Sequence, residues 1–488
     1  MFPVDTVSLV DGYKLDHRRQ YPDHTEEVYS NFTPRGSRIE GQEEVVFLGL
    51  QGFIQRFLMD ELKDFFNGDI DEICQDYADL VNGYLGPNTI GTDHIRVWHA
   101  LGYVPLEFRA LPEGTKVPLR VPMFTVRSTH GDDFAWLANY YESVLSAEIW
   151  GPCTSATTAL RLRNILEKYA RLTGSALEFV DWQGHDFSFR GMFGLEAAKL
   201  SGMGHLVFFN GTDTIPAIGH IKKYYGVPDN YLLAGSVPAT EHSVMCAGGQ
   251  DDELGTFNRL LDLYPSGIVS VVSDTWDLWH VVDPNNGLLV QLKDRVMSRE
   301  GKLVIRPDSG DPVKIICGDP AAYPGSPAFK GVIECLWETF GGVVTSTGHK
   351  LLDGHIGCIY GDSINEDRMT RILQGLADKG FSSGNMVFGV GSFTYQYVTR
   401  DVYNFAMKAT RVKIAGVTKD IFKKPITDDG TKNSAKGTLA VILVNGKLTL
   451  LNQATEAQDS ESLLKIVWKD GVWLQKWSFD QVRANARK

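Results

Sequence analysis

Between Leu48 and Phe66 apolar residues fall at Leu50, Phe53, Ile54, Phe57, Leu58, Leu62, Phe65 and Phe66. That is the spacing of one helix face, and Asn67-Gly68 is a stop signal. The same spacing predicts helices over Phe134 to Ile149 and over Thr157 to Leu172, before Gly174. Between these segments the texture changes. Leu106 to Ser128 alternates short β-prone runs around Pro112-Glu113-Gly114, which reads as strands joined by a tight turn. Near the C-terminus, Val441 to Val444 and Lys447 to Leu451 flank Asn445-Gly446, a hairpin signal. Ile466 to Trp468 and Val472 to Leu474 flank Asp470-Gly471 in the same way. Both ends are therefore β-rich, and the pattern predicts one discontinuous α+β domain from residues 1–150 and 395–488.

The middle, 151–394, follows a different rule: apolar runs end directly in small, acidic or basic residues. Leu206 to Phe209 leads into Asn210-Gly211-Thr212-Asp213, and Ile268 to Val272 into Ser273-Asp274. Leu303 to Ile305 leads into Arg306-Pro307-Asp308-Ser309-Gly310. Ile356 to Tyr360 leads into Gly361-Asp362-Ser363, and Met386 to Phe388 into Gly389-Val390-Gly391-Ser392. The runs are almost continuously apolar, as strands covered on both faces are, and helical stretches such as Met369 to Leu376 separate them. Five such repeats predict an α/β core of TIM-like (β/α) barrel type with its strand ends on one site. A doubly wound open sheet is the alternative, because periodicity does not show closure.

Composition narrows the partners. The 488 residues carry 48 Lys and Arg against 60 Asp and Glu, a formal net charge of -12. This argues against non-specific binding to nucleic acid or anionic membranes, and leaves room for a local basic pocket. Met1 to Asp16 lacks the basic and apolar regions of a secretory signal, and no run approaches the roughly 18 apolar residues of a membrane span. The six cysteines show no C-x-x-C spacing and read as reduced, buried thiols of a cytoplasmic protein.

The run ends collect Asp213, Asp274, Asp308 and Asp362 with Arg306 and several glycines. Together they can hold a metal-bound polyphosphate or ribose hydroxyls, while glycine amides and Arg306 take phosphate oxygens. Asp and Gly also favour turns and caps for conformational reasons, the plainer reading of any one position. Gly389-Val390-Gly391 has Thr394 where a dinucleotide fingerprint needs its third glycine, and no P-loop, H-E-x-x-H or paired-cysteine zinc pattern occurs. His242, within Ala239-Thr240-Glu241-His242-Ser243, could act as a donor, a base or a phosphorylated nucleophile, and its position alone does not choose. In His185-Asp186-Phe187-Ser188-Phe189-Arg190-Gly191, Phe187 could stack on a planar ring and Arg190 hold a phosphate; a core aromatic beside a surface arginine is the alternative.

At these positions the chain resembles the nicotinamide phosphoribosyltransferases of the type II phosphoribosyltransferase family. The resemblance runs in order through Asp11-Gly12-Tyr13-Lys14, Gln20-Tyr21-Pro22, His185 to Gly191, Gly211-Thr212-Asp213-Thr214 and Ser236 to Ser243. It continues through Ser270 to Asp274, Ile305 to Gly310, Gly361-Asp362, Thr399-Arg400-Asp401 and Ser478-Phe479-Asp480. It implies transfer of phosphoribose from phosphoribosyl pyrophosphate to nicotinamide, with Mg2+ at the pyrophosphate, whose protein ligands stay open, and ATP as co-substrate. It further implies a homodimer with sites at the subunit interface. Phe187 and a partner's Tyr13 would sandwich the pyridine ring, Asp213 would bind the carboxamide nitrogen, and Arg306 would belong to the same pocket. Arg190, Arg306, Asp308, Gly361, Asp362, Gly391, Ser392 and Arg400 would bind phosphate and ribose, with Lys408 and Lys423 near the phosphates of the second subunit's site. His242 would be phosphorylated by ATP and act in catalysis with Asp274 and Asp308. Two departures are Ser188, where many relatives carry Gly, and Ser392-Phe393-Thr394-Tyr395, a less glycine-rich loop. A barrel glycosidase using two of the carboxylates, and a binding protein without turnover, are the competing classes.

Overall fold

The computed structural model describes residues 3–228, 231–423 and 435–488. The chain divides into two compact units, Met1–Ala156 with His220–Asp229 and Thr399–Lys488, and Thr157–Gly219 with Asn230–Val398.

The first unit is built on a seven-stranded antiparallel sheet. Its order is Val417–Asp420, Phe405–Ile414, Thr25–Pro34, Phe124–Ser128, Leu106–Ala110, Lys465–Lys469 and Val472–Trp473. Strands from both ends of the chain thus share one sheet. The hairpin Ala440–Val444 with Lys447–Leu451 closes through Asn445 and Gly446 at φ 50° and 77°, the two positive values that a tight hairpin of matching twist needs. Asp470 and Gly471 repeat the device at 49° and 81°. Around Pro112-Glu113-Gly114 the strands do not pair with each other as a simple hairpin. Leu106–Ala110 pairs with Phe124–Ser128, and Lys116–Pro118 pairs with Glu44–Val46. Glu113 itself is fully buried, and burial pushes its carboxyl up. It accepts hydrogen bonds from the amides of Gly49 and Gln51 and from the Tyr225 hydroxyl, which offset that cost.

Two predicted helices differ in detail. The segment after Gly49 is helical as Leu50–Phe53, widens to a π-helix over Ile54–Asp60, and resumes at Leu62–Asn67. The wide turn re-phases the apolar face so that Phe57, Leu58, Leu62 and Phe65 all stay buried. The helices expected to end at Ile149 and start at Thr157 are one element, Glu142–Thr173, with Pro152 inside it. Leu145, Ile149, Cys153, Ala156, Ala159, Leu162 and Leu166 are fully buried along one register, and this packing outweighs the ~3 kcal/mol propensity cost of proline.

The second unit holds a six-stranded parallel sheet: β1 (Gly184–Asp186), β2 (Gly211–Thr212), β3 (Ser266–Val272), β4 (Glu300–Arg306), β5 (Ile356–Tyr360) and β6 (Met386–Val390). Their order is β2-β1-β6-β5-β4-β3, every pair parallel. The expected α/β core is present as this half-barrel of six strands. Single parallel bridges join Gly235 to Gly211 of β2 and Ala239 to Ser270 of β3.

Two strand expectations change. β1 arises in a segment that reads as a loop. Leu206–Phe209 is not a strand: it is the end of α1 (Leu195–Leu206) and the following turn, all of it buried. A four-residue apolar run looks the same in either setting. Cys246 also departs from the expectation of buried thiols: it is exposed, while the other five are buried, and all six are free. Among the described residues no helix is long and apolar enough to cross a membrane.

Candidate active site

Parallel pairing carries the C-terminal ends of all six strands to one edge of the sheet, which is where side chains from distant segments can meet. There Asp186 of β1 is followed by Phe187, β2 by Asp213, β3 by Ser273-Asp274, β5 by Gly361-Asp362 and β6 by Gly391-Ser392, while β4 ends in Arg306. A cavity of about 820 Å³ runs along the sheet, with His185, Phe187, Asp213, Ser236 and Arg306 in its wall at this edge and Lys302, Ile356 and Asn385 in its wall toward the strand starts.

Phe187 is held by its backbone, whose N–H donates to the Val390 carbonyl at 2.9 Å. Its ring lies over Gly361 and Gly389, so closely that a β-carbon on either glycine would meet ring carbons. The His185 ring stands 4.8 Å away, tilted by 53°. His185 Nε2 donates to Asp213 Oδ1 at 2.9 Å, and Ser236 Oγ donates to the same oxygen at 2.6 Å. Oδ2 has no hydrogen-bond partner among the described residues. Burial pushes the Asp213 carboxyl up, but His185, the Ser236 hydroxyl and the charge of Arg306 together hold it below the usual carboxylate range. Asp213 is therefore an anion at neutral pH with one oxygen committed and one open. Arg306 has its Nε buried without a hydrogen-bond partner.

A second group forms around Asp274, whose side chain is 5% exposed. Its Oδ2 accepts from the Asp308 amide at 3.0 Å and from the Ser309 hydroxyl, and Oδ1 faces His242 Nε2 at 3.3 Å. Asp274 thus ties the turn after β4 to the first residue of α2 (His242–Gly248). The Asp308 carboxylate accepts no hydrogen bond among the described residues, and Asp362 accepts from Ser363 Oγ at 3.1 Å. These three carboxylates lie near enough to Tyr360 to add to the effect of burial in pushing its phenol up. Arg190 is exposed in the turn Phe189–Gly191, and Ser392 opens α3 (Ser392–Tyr395) with its side chain pressed on Gly191.

Tyr13, Arg400, Lys408 and Lys423 belong to the first unit. Tyr13 is 64% exposed, and Arg400 pairs with Asp401 at 3.2 Å. Burial, and after it the charges of Arg35, Lys423 and Lys14, push the Lys408 ammonium below its usual range, which marks a gathering of cations within that unit.

Sequence reasoning gave His185 and Ser236 no role, yet they are the residues that orient Asp213. The available signal was their place: His185 sits two residues before Phe187, and Ser236 follows the bridge at Gly235.

The chain is similar to known phosphoribosyltransferases. Residues 182–472 match the model of the nicotinate phosphoribosyltransferase (NAPRTase) family, and residues 5–72 match the nicotinamide phosphoribosyltransferase N-terminal domain. A protein named nicotinamide phosphoribosyltransferase from Acinetobacter baylyi is 47% identical over 99% of this chain and 97% of its own. One of the same name from Mycoplasma pneumoniae is 37% identical over 88% of this chain and 93% of its own. Among solved structures, the nicotinate-nucleotide pyrophosphorylase of Pyrococcus furiosus superposes with a TM-score of 0.57 at 14% identity, covering 99% of this chain and 95% of that one. Human nicotinic acid phosphoribosyltransferase gives 0.54 at 14% identity, covering 98% and 92%. At that identity both report on the fold. The chain is a phosphoribosyltransferase and belongs to the nicotinate phosphoribosyltransferase family.

Proposed function

We propose that the enzyme joins nicotinamide to phosphoribosyl pyrophosphate, giving nicotinamide mononucleotide and pyrophosphate, a step of NAD salvage. The observation that carries this is Asp213, an anion with Oδ1 committed to His185 and Ser236 and Oδ2 without a described partner, in the wall of the cavity that Phe187 also lines. A carboxamide donates its NH2 to that oxygen, whereas nicotinate would bring a second negative charge to it. Arg306, with its unpartnered Nε, suits the carboxamide oxygen or a phosphate on the same wall. The names of the relatives support the same substrate.

The pyridine nitrogen bonds to ribose C1 as the C1–O bond to pyrophosphate breaks, and the leaving group takes the bonding pair. Phe187 on one face of the ring, with Tyr13 of the partner subunit on the other in a homodimer, would hold the nitrogen on line. Arg190, Gly361, Asp362, Gly391 and Ser392 would line the ribose phosphate, with Arg400 as a further cation and Lys408 and Lys423 at the phosphates of the second subunit's site. The segment at 235–239 would close the six strands into a ring through its two bridges. We place the enzyme in the cytoplasm.

Among the described residues no three His, Cys, Asp or Glu side chains gather as a metal cage. The Asp308 carboxylate, free of hydrogen bonds, and Asp362 fit a Mg2+ that is held by one or two carboxylates plus pyrophosphate oxygens. Bound there, the ion would neutralise charge on the departing pyrophosphate. For His242, Asp274 on Nε2 leaves the other ring nitrogen to take the γ-phosphoryl group of ATP with release of ADP; water later returns the group as phosphate.

The deciding assay supplies the pure protein with phosphoribosyl pyrophosphate, Mg2+ and either nicotinamide or nicotinate, with and without ATP. We expect mononucleotide from nicotinamide, far slower turnover of nicotinate, and an acid-labile phosphoprotein that His242→Ala abolishes. Equal turnover of nicotinate refutes the amide reading, and no labelled intermediate refutes the role of His242.

A further inference from the structure

Behind Asp213, outside the cavity wall, His205 of α1 is completely buried. Its Nε2 lies 3.0 Å from the Gly211 carbonyl, and its Nδ1 lies 2.7 Å from the Tyr395 hydroxyl. The chemistry of these partners fixes the protons. A carbonyl only accepts, so Nε2 carries the hydrogen; Nδ1 is then an acceptor, and Tyr395 must donate to it. Burial favours the same state, pushing the imidazole down to about 4 and the Tyr395 phenol well above its usual range. Phe209 stacks on the imidazole at 5.0 Å and 28°, which holds the plane of the ring.

Each end of this chain reaches a part of the site. Gly211 is in β2, two residues before Asp213, and β2 is anchored to β1 at His185 and Asp186. The Asp213 amide donates to the Asp186 carbonyl at 3.0 Å. At the other end Tyr395 closes α3, the turn that opens at Gly391 and Ser392. Its amide donates to the Gly391 carbonyl at 3.3 Å, and the neighbouring Thr394 hydroxyl donates to the Ile364 carbonyl at 2.6 Å. Asp186, also fully buried, accepts from the Ser188 amide at 2.9 Å, in the turn that leads to Arg190.

We propose that Tyr395 and His205 are positioning residues, and that the hydrogen-bonded chain Tyr395–His205–Gly211 fixes the base-selecting Asp213 against the loop that begins at Gly391. Selection of the base and the setting of the phosphate loop are thereby one arrangement. This inference rests on the reading of Asp213 given above. Neither residue touches substrate; both act through the ends of β2 and α3.

The test measures kcat and KM for nicotinamide, nicotinate and phosphoribosyl pyrophosphate in Tyr395→Phe, His205→Leu and His205→Gln, with thermal melting of each. Tyr395→Phe keeps the ring and loses only the donor, so it is the variant least able to disturb the fold. We expect it to lower the preference for nicotinamide over nicotinate by about fivefold and to raise KM for phosphoribosyl pyrophosphate by a similar factor, the effect of one lost hydrogen bond. His205→Leu should do at least as much. His205→Gln, which can still donate to Gly211 and accept from Tyr395, should recover most of the preference. The double variant Tyr395→Phe with His205→Leu should be no worse than His205→Leu alone, because the two interrupt one chain. Melting temperatures that fall while preference and KM stay at wild-type values would make the chain purely structural and overturn the proposal. Asp213→Asn in the same assay separates the two readings. A preference that it abolishes and Tyr395→Phe leaves intact overturns the chain alone; a preference that it leaves intact overturns the reading of Asp213 and the chain with it.

Discussion

Phe187 owes its place to two residues without side chains. Gly361 and Gly389 lie under its ring, and a β-carbon at Gly389 would meet both the ring and the Gly361 backbone. Gly389→Ala should therefore push the ring into the cavity, at a stability cost in the ~1–3 kcal/mol range of overpacked sites. Steady-state kinetics should show KM for the base rising by more than KM for phosphoribosyl pyrophosphate. An unchanged KM for the base would mean that the ring does not form its seat. The residue types proposed to carry chemistry, an aromatic in a polar loop and a carboxylate after Gly-Thr, were legible in the sequence. Their supports were not, because His185 and Ser236 reach Asp213 across 28 and 23 residues of chain, and nothing local marks such a contact. His205 was hidden in the same way: a histidine in an apolar run reads as core, and only its two hydrogen bonds distinguish it.

Among elements, hairpins were the clearest. Asn445-Gly446 and Asp470-Gly471 sit at their turns because both positions need positive φ. At Gly446, with φ 77°, no described atom lies within 4 Å of where a β-carbon would stand, so Gly446→Ala isolates the backbone cost. It should lower the unfolding free energy by about 1 kcal/mol in a denaturant titration and leave turnover at the wild-type rate. Long parallel strands were also legible, β5 to its first and last residue. β1 and β2 were not, since three residues and two residues are too short to show a period. Their strand character comes from neighbours, β6 on one side of β1 and β2 on the other. The merging of two predicted helices at Pro152 is the opposite case, where burial of a continuous face overrides a strong local signal.

At the scale of the molecule, the net charge of -12 says little about the local setting of Arg190 and Arg306, the cations proposed to meet the ligand. Acid stability is a better global observable. Two buried histidines are held neutral, His94 in the first unit and His205 in the second, both pushed down by burial to about 4 from 6.5. Between those values the unfolded chain binds protons that the folded one refuses, so this contribution is complete above about pH 6.5 and lost as the pH falls toward 4. The shift corresponds to roughly 3 kcal/mol per histidine. Urea midpoints should drop clearly between pH 7 and pH 5, and a flat profile would show that these histidines are protonated without opening the fold. The sheet of the first unit has a further consequence, for biosynthesis. Asn31 of Thr25–Pro34 bonds to Lys408 of Phe405–Ile414 across 377 residues. At ribosomal speeds of about 5–20 residues per second, the early strand waits roughly 20–75 s for its partner to be made. All six strands of the parallel sheet are synthesised during that wait. A nascent chain thus carries one unsatisfied strand edge through most of its translation, and guarding that edge from other chains is a task for the cell before the enzyme has a complete first unit.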